Sequence, residues 1–548
     1  MNPIILRGIR ERLRIKHLIA AGLFSLIVSA TIYFTAYLNE ANGGWSYNPQ
    51  TGQMEQSDPS PVKGARHAFP FLLCLQGFYL MFLGTGRVAA ITAEEKESGL
   101  LDYQRMTPMN PFSKIWGYLL GLPAREYYMF ALTLPFLLHC IIVGDLTLEN
   151  VLHLYFVFFS SVVLYHLTAH VIGLVVPKPR AASWVSRIVV LGLYVFLPAF
   201  GQAGSSFLSF LTILPTYFGK MLPELISQEN YDFDYYRWEN DMIDFWQDVP
   251  FFGTDISPSL FTLIMQGLIL AALLVTAYRK WRNESLPAFS KTSGLIIFAV
   301  FQFLLLGSLW PFFSEGKASG LLGEEFSLSA ADDKGGATTI LLFVQSVFFG
   351  LSILGILTLI NTCCPDRHLH LKGVQRANRL GLSSIPLSAD ESRGTWFALL
   401  LGAMVCAVHG ILLSQAMAND LFFSIKPDLP AFFLPALLIL ASTLYLQAAR
   451  ELWFSLGFWG FVGLLWITPL LASLVLAVGW QDDYLDFIAM LSSFCPILAI
   501  PQALGSQYAF PIPEKHVHVL SFGTFAGLGA AIVLAILLSV RLYLKPKQ

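Results

Sequence analysis

Four stretches of this 548-residue chain carry residue types at spacings that chemistry could use. His166 and His170 stand four apart, so two imidazoles share one helix face, as a metal pair would require. The glutamate of an H-E-x-x-H hydrolase is missing and no third ligand lies nearby, so packing or hydrogen bonding is the expected role. The run CCPDRHLH offers Cys363, Cys364, His368 and His370 as zinc donors, but adjacent cysteines set up a tetrahedron poorly, and no metal is expected. Between Glu224 and Asp255 nine acids face the single base Arg237; a solvated loop with aromatics on a membrane surface fits this better than a cation site. The fourth stretch, ITAEEKESGLLDYQRMTPMNPFSKIWGYLLGLP at 91–123, packs Glu94, Glu95, Lys96, Glu97, Asp102 and Arg105 into an otherwise greasy chain. No nucleophile–base pair or convergent set of acids accompanies these groups, so neither catalytic residues nor a cofactor are expected.

The elements that must position them are membrane spans. The chain is 55% hydrophobic and 13% charged, about half the charge of an ordinary soluble domain. Apolar runs of about 20 residues, enough to cross the hydrocarbon core, recur throughout. The reading is an all-α polytopic membrane protein with about twelve spans, near 18–38, 68–90, 124–144, 150–176, 183–202, 258–278, 294–312, 338–362, 396–417, 430–447, 458–479 and 518–541. A net charge of −2 with no long basic tract gives no reason to expect nucleic acid. The six cysteines fall in or beside apolar segments, as small core residues do. No cleavable signal peptide is apparent after the basic amino end.

Lysine and arginine bias sets orientation. Arg7, Arg10, Arg12 and Arg14 crowd the amino end and Arg541, Lys545 and Lys547 the carboxyl end. Lys178 and Arg180, then Arg279, Lys280 and Arg282, then Arg367, Lys372, Arg376 and Arg379, fall on the same side if the spans alternate. Both termini are therefore expected in the cytoplasm, the membrane being a cell (inner) membrane. Two further hydrophobic stretches, 207–220 and 484–502, are interrupted by prolines and read as re-entrant or external segments. They occupy matching places in two six-span halves, 1–278 and 279–548, so the order of elements suggests an internal duplication.

Within 91–123, AEEKESGLLDYQRM reads as a short helix with acids at its start and Arg105 near its end, suiting the helix dipole. Leu100, Leu101, Tyr103 and Met106 would form its apolar side, Gly99 weakens it, and Thr107-Pro108 ends it. After Asn110-Pro111 a second amphipathic piece carries Trp116 and Tyr118 toward the next span. This is a helix–turn–helix beneath the membrane, polar enough to meet a partner.

Here the chain resembles the ABC-2-type transporter permeases. These carry, between their second and third spans, a pattern close to E-[RK]-E-x-G-T-L-[ED]-x-L-x-x-T-P-[LM]-[SN], followed by an isoleucine and G-K-L-x-G. This chain has Glu95-Lys96-Glu97-Ser98-Gly99-Leu100-Leu101-Asp102, then Arg105-Met106-Thr107-Pro108-Met109-Asn110, then Ile115-Trp116-Gly117-Tyr118-Leu119-Leu120-Gly121. It departs at Leu100, where threonine is usual, at Gln104, where leucine is, and at Tyr118, where lysine is. The amino end is similar to that family's basic interfacial helix, which would assign Arg7, Arg10, Arg12 and Arg14 to that element.

The resemblance implies that 91–123 is a coupling helix docking on a separate ABC ATPase subunit. Glu95, Glu97, Gly99, Asp102, Arg105, Thr107 and Pro108 would shape or contact the docking surface. The corresponding loop at 363–395 lacks the pattern. No G-x-x-x-x-G-K-[ST] occurs; GKM at 219–221 and GKA at 316–318 lack the hydroxyl that would hold magnesium, so this chain does not hydrolyse ATP by that route. Ionisable residues sit near span ends rather than at mid-membrane, so a proton or sodium relay is not expected either. The expected function is the permease subunit of an ATP-driven transporter, an exporter by preference, in contact with membrane lipid and assembled as a pseudo-dimeric single chain or a homodimer. A non-transporting assembly subunit and a membrane-embedded enzyme are the rival readings.

Overall fold

A computed structural model describes residues 2–43, 45–48, 53–56, 59–200, 206–226, 243, 246–284, 286–315, 334–419, 422–423, 427–453, 455–469, 471–472, 475, 485–506 and 514–544. Most of the acidic stretch 224–255, including Arg237, and the basic residues Lys545 and Lys547 lie outside them. Ten of the described helices are long and apolar enough to cross a membrane. The protein is an all-α polytopic membrane protein.

The chain divides into two compact units, one of 1–202, 206–250 and 254–284, the other of 203–205, 251–253 and 285–548. In the first unit α1 (Pro3–Arg12) precedes α2 (Ile15–Ala41). A hairpin of β1 (Trp45–Asn48) and β2 (Gln53–Gln56) leads to α3 (Pro61–Gly77). A π-helical turn, Phe78–Gly84, joins α3 to α4 (Thr85–Glu97), so that one apolar run extends over Pro61–Glu97. Then come α5 (Leu100–Met106), α6 (Pro111–Gly121), α7 (Ala124–Ala131), α8 (Leu134–Val143), α9 (Leu148–Val175) and α10 (Pro179–Phe200). The unit closes with α11 (Pro258–Arg282).

Local sequence explains where these helices start. Proline, whose missing N–H is no loss in a first turn, opens α1, α3, α6 and α11. Asn2, Ser60 and Asn110 accept backbone N–H groups as caps ahead of the first three. The main core gathers Phe69, Leu72, Leu154, Val157 and Phe158 from α3 and α9. A second core, Val88, Ala89, Leu101, Ile115, Leu119, Leu167 and Trp281, lies where α4, α5, α6, α9 and α11 meet. Two buried glutamines reach across to neighbouring helices: Gln76 donates to Thr133 Oγ1 at 2.8 Å and Gln266 to Ser161 Oγ at 2.8 Å.

The second unit holds α12 (Lys291–Glu315), α13 (Lys334–Cys363), α14 (Arg367–Arg379), α15 (Thr395–Ala418), α16 (Pro430–Leu452) and α17 (Ser455–Val462). It ends with α18 (Leu485–Ser492), α19 (Pro496–Gly505) and α20 (Glu514–Leu544). Both proline-interrupted stretches are broken: 207–220 runs through the short helices Ser206–Ser209 and Leu214–Thr216 and a π-turn at Tyr217–Met221, and 484–502 through α18 and α19. A 10-residue helix such as α19 is about 15 Å long, half of what a crossing needs.

Candidate functional site: a braced helical turn at one end of the first unit

The charged segment folds differently from the single short helix its sequence suggests. Glu94 to Glu97 are the last turn of α4 and thus continue the span Pro61–Glu97. Gly99 does more than weaken a helix: at φ 74° it takes the left-handed conformation that glycine adopts at least cost, ending α4 and turning the chain into α5. Thr107, extended at ψ 143° ahead of Pro108, ends α5, and its hydroxyl donates to the Gln104 carbonyl at 2.6 Å.

The residues expected on the docking surface separate into two sets. Glu95 is 6% exposed and faces inward. Its Oε1 accepts from Arg7 Nη2 at 2.6 Å, and its Oε2 accepts from Gln104 Nε2 at 3.3 Å and from the Tyr118 hydroxyl. That hydroxyl also lies 2.7 Å from Gln104 Oε1. Burial, and after it the Glu95 carboxylate, push the Tyr118 phenol far above its ordinary value, so the hydroxyl keeps its proton and donates. Burial would lower the Arg7 guanidinium, but Glu95 and Glu11 outweigh it and the group is held above its usual value. Lys114, 3% exposed, donates to the carbonyls of Gln104 at 2.6 Å and Thr107 at 3.3 Å, and burial lowers its pKa.

Arg105 also works inside the unit. It pairs with Asp102 at 2.5 Å and with Glu284 just beyond α11 at 3.1 Å, and donates to the Lys280 carbonyl at 3.2 Å. Lys96 holds Glu284 at 2.9 Å and the Leu174 carbonyl at 2.7 Å, so the ends of α4, α9 and α11 are tied at one place. The hydrogen bond from Lys96, and then that from Arg105, hold the Glu284 carboxyl below the ordinary range against a partial burial that raises it.

The second set faces out. Glu94, Glu97, Gly99, Asp102 and Pro108 are exposed, and Thr107 is half-buried. The apolar side anticipated for α5 is split, with Leu101 1% exposed in the core but Tyr103 65% and Met106 78% exposed. The surface is therefore a patch of carboxylates bordering Tyr103 and Met106, held on a turn braced from within.

The amino-terminal helix is part of the brace. Besides Arg7, Asn2 reaches α6, donating to the Ser113 carbonyl at 2.5 Å. Close approach requires glycines here: a Cβ on Gly8 would stand 2.4 Å from the Gly121 carbonyl oxygen, and one on Gly117 2.8 Å from Ile4 Cβ. Arg10 and Arg14 are exposed and Arg12 is half-buried.

The histidine pair is engaged in hydrogen bonds. Trp281 Nε1 donates to His170 Nε2 at 2.9 Å, while His170 Nδ1 lies 3.1 Å from Thr92 Oγ1. His166 Nε2 lies 2.9 Å from the Leu80 carbonyl. Among the described residues no group of three or more histidine, cysteine or acidic side chains is placed to hold a metal ion. Gln104 and Tyr118 are partners of Glu95 that the sequence does not single out, because separations of 9 and 23 residues carry no helical or strand period. No family model, no curated protein and no solved structure matches this chain.

Proposed function

We propose that this protein is the membrane-spanning permease subunit of an ATP-driven transporter of the ABC-2 type, energised by a separate ATPase that docks on α5 and the turns around it. The observation that carries the reading is the division of labour in the charged segment. Glu97, Asp102, Tyr103, Met106 and Pro108 face outward, while Glu95, Gln104, Lys114, Tyr118 and Arg105 lock the same turn to α1, α6 and α11. A solvated loop that only enforced topology would need no such bracing. An element that transmits force from a partner into spans does.

Contacts inside the first unit support a fifth crossing by α10, and with it the twelve-span plan. The carboxyl ends of α4, α9 and α11 meet at Lys96, which favours a crossing of the membrane between Val175 and Pro258. Along α10, Arg187 lies 5.5 Å over the Phe82 ring and the Tyr194 hydroxyl 3.3 Å from Met81 Sδ, so α10 packs against the π-helical turn within the Pro61–Glu97 span. In the second unit, Ser455–Ile467 begins an eleventh crossing in the same manner, with Trp466 Nε1 donating to Tyr445 Oη at 2.9 Å. The broken segments at 206–225 and 485–505 suit re-entrant elements, and both termini then share the cytoplasmic face.

Charge reversal tests the docking claim. Glu97→Lys alters an exposed carboxylate with no described partner role in the brace, whereas Asp255→Lys alters an exposed one in the strand pair Val249–Phe251 and Thr254–Ile256 that precedes α11. Glu97→Lys is expected to weaken ATPase co-purification about tenfold, the scale of one charge-assisted contact, and to abolish stimulated hydrolysis, with membrane insertion unchanged. Asp255→Lys is expected to do neither. Equal association in all three proteins would leave the outward patch without a docking role.

A further inference from the structure

The segment between the spans Ile340–Cys363 and Thr395–Ala418 takes no part in the reading above, yet it is built as a platform. Asp366 caps α14 by accepting from the Leu369 N–H at 2.9 Å, only three residues past the preceding span. The 13 residues of α14 contain Arg367, Lys372, Arg376 and Arg379 and no acid. His368, Lys372, Arg376 and Arg379 follow one another at spacings of four, four and three, so they line one helix face, and all are exposed. The opposite face is spent on the chain's own return path. Gly373 and Ala377 are buried there, and a Cβ on Gly373 would meet Glu391 Cβ at 2.4 Å.

That return path is pinned. Lys291, fully buried at the start of α12, donates to the carbonyls of Ala389 at 2.9 Å, Asp390 at 3.1 Å and Ser392 at 2.6 Å. His370 Nδ1 lies 2.9 Å from the Glu391 carbonyl, and Glu451 accepts from the Gly394 N–H at 2.6 Å. Between α14 and the pinned stretch, Leu380, Leu382 and Leu387 are 65%, 45% and 69% exposed. Among the described ion pairs only Arg376 is engaged, with Glu391 at 3.8 Å, and its side chain remains 75% exposed.

We propose that α14 and the leucines after it form a binding surface for anionic lipid headgroups of the membrane that the chain itself spans. Both ends of the segment emerge from membrane spans, three residues before the helix at one end and directly into α15 at the other, so the basic face lies within reach of the headgroup layer. Four cations without an acid on the helix match a negative surface, and the exposed leucines supply apolar anchors beside them. The pinned return path holds cations and leucines together, which a disordered basic loop would not. The inference rests only on the spans and stands apart from the docking of an ATPase.

The test uses the full-length protein in nanodiscs of phosphatidylcholine alone and of phosphatidylcholine mixed with the anionic lipid phosphatidylglycerol. Native mass spectrometry reads retained phosphatidylglycerol, and thermal unfolding reads the stabilisation it confers. The triple variant Lys372→Gln, Arg376→Gln, Arg379→Gln is expected to lose most of the retained anionic lipid, its apparent affinity falling by about a hundredfold at roughly fivefold per cation, along with the lipid-dependent rise in midpoint. The charge-preserving variant Arg376→Lys, Arg379→Lys should keep both, which separates electrostatics from misfolding. Leu382→Asp should weaken retention with the cations intact. Identical retention in the wild type and the triple variant overturns the proposal. So does loss of a co-purifying acidic protein with lipid retention unchanged, which would make the surface a protein interface.

Discussion

Glu95 anchors the site through residues at which the segment departs from the pattern it resembles. Gln104 and Tyr118 are two of its three departures, and both meet at the Glu95 carboxylate. A substitution at either position read alone looks like drift; in space they are parts of one contact. Burial decides how much each bond is worth. Tyr118→Phe leaves a buried carboxylate one donor short and is expected to cost about 1–3 kcal/mol of unfolding free energy. Glu284→Gln disturbs a pair whose carboxylate side chain is 47% exposed, and about 0–1 kcal/mol is expected. Chemical unfolding of both variants in one detergent checks the ranking, and equal losses would show that the buried network does not carry the brace. The outward residues Glu97 and Asp102 were legible from charge alone. The inward turn of Glu95 was not, because which side of a helix end faces a neighbour depends on α1, α6 and α11 arriving from distant parts of the chain.

Among elements, starts and stops were the most readable features. Thr107-Pro108 and Asn110-Pro111 end α5 and begin α6 where local backbone chemistry requires. The run AEEKESGLLDYQRM misled because a continuous polar pattern hides a left-handed glycine, and Gly99 divides it into the end of a span and a separate helix. The seating of α1 on α6 predicts that Gly8→Val, which forces a branched side chain against the Gly121 carbonyl, frees the amino-terminal helix. Amide exchange over residues 4–12 should then quicken while exchange across α9 stays unchanged; unchanged protection of α1 would refute the contact. The clip at Glu284 has a sign in pH. Its folded pKa is depressed, so its contribution is complete above the unfolded value and is lost as pH falls through the folded one. The difference in thermal midpoint between wild type and Glu284→Gln should therefore shrink toward zero between pH 6 and about 3. A difference that persists at the acid end would mean the carboxylate's charge is not what holds the clip.

For the whole molecule, hydrophobicity made the class plain, and ten of the expected spans have described helices that meet the length and apolarity of a crossing. The helix α10, expected as the fifth, is hidden in composition by Arg180, Arg187 and two serines, and it packs on Met81 and Phe82 of the Pro61–Glu97 span. Single cysteines at Arg10 and Asp255, in a background from which all six native cysteines are removed, should react with an impermeant reagent from opposite faces. Reaction from the same face would remove α10 as a crossing. The seat of α1 also bears on how the protein is made. Asn2 and the Ser113 carbonyl it holds are 111 residues apart, so at about 5–20 residues per second the ribosome needs on the order of ten seconds to deliver one after the other. Through that interval α1 lacks its seat on α6, and the arginines it carries are free to meet anionic headgroups. Only when Glu95 and α6 have both been made can Arg7 exchange solvent for its fixed partner, so the brace closes late relative to the helix it holds.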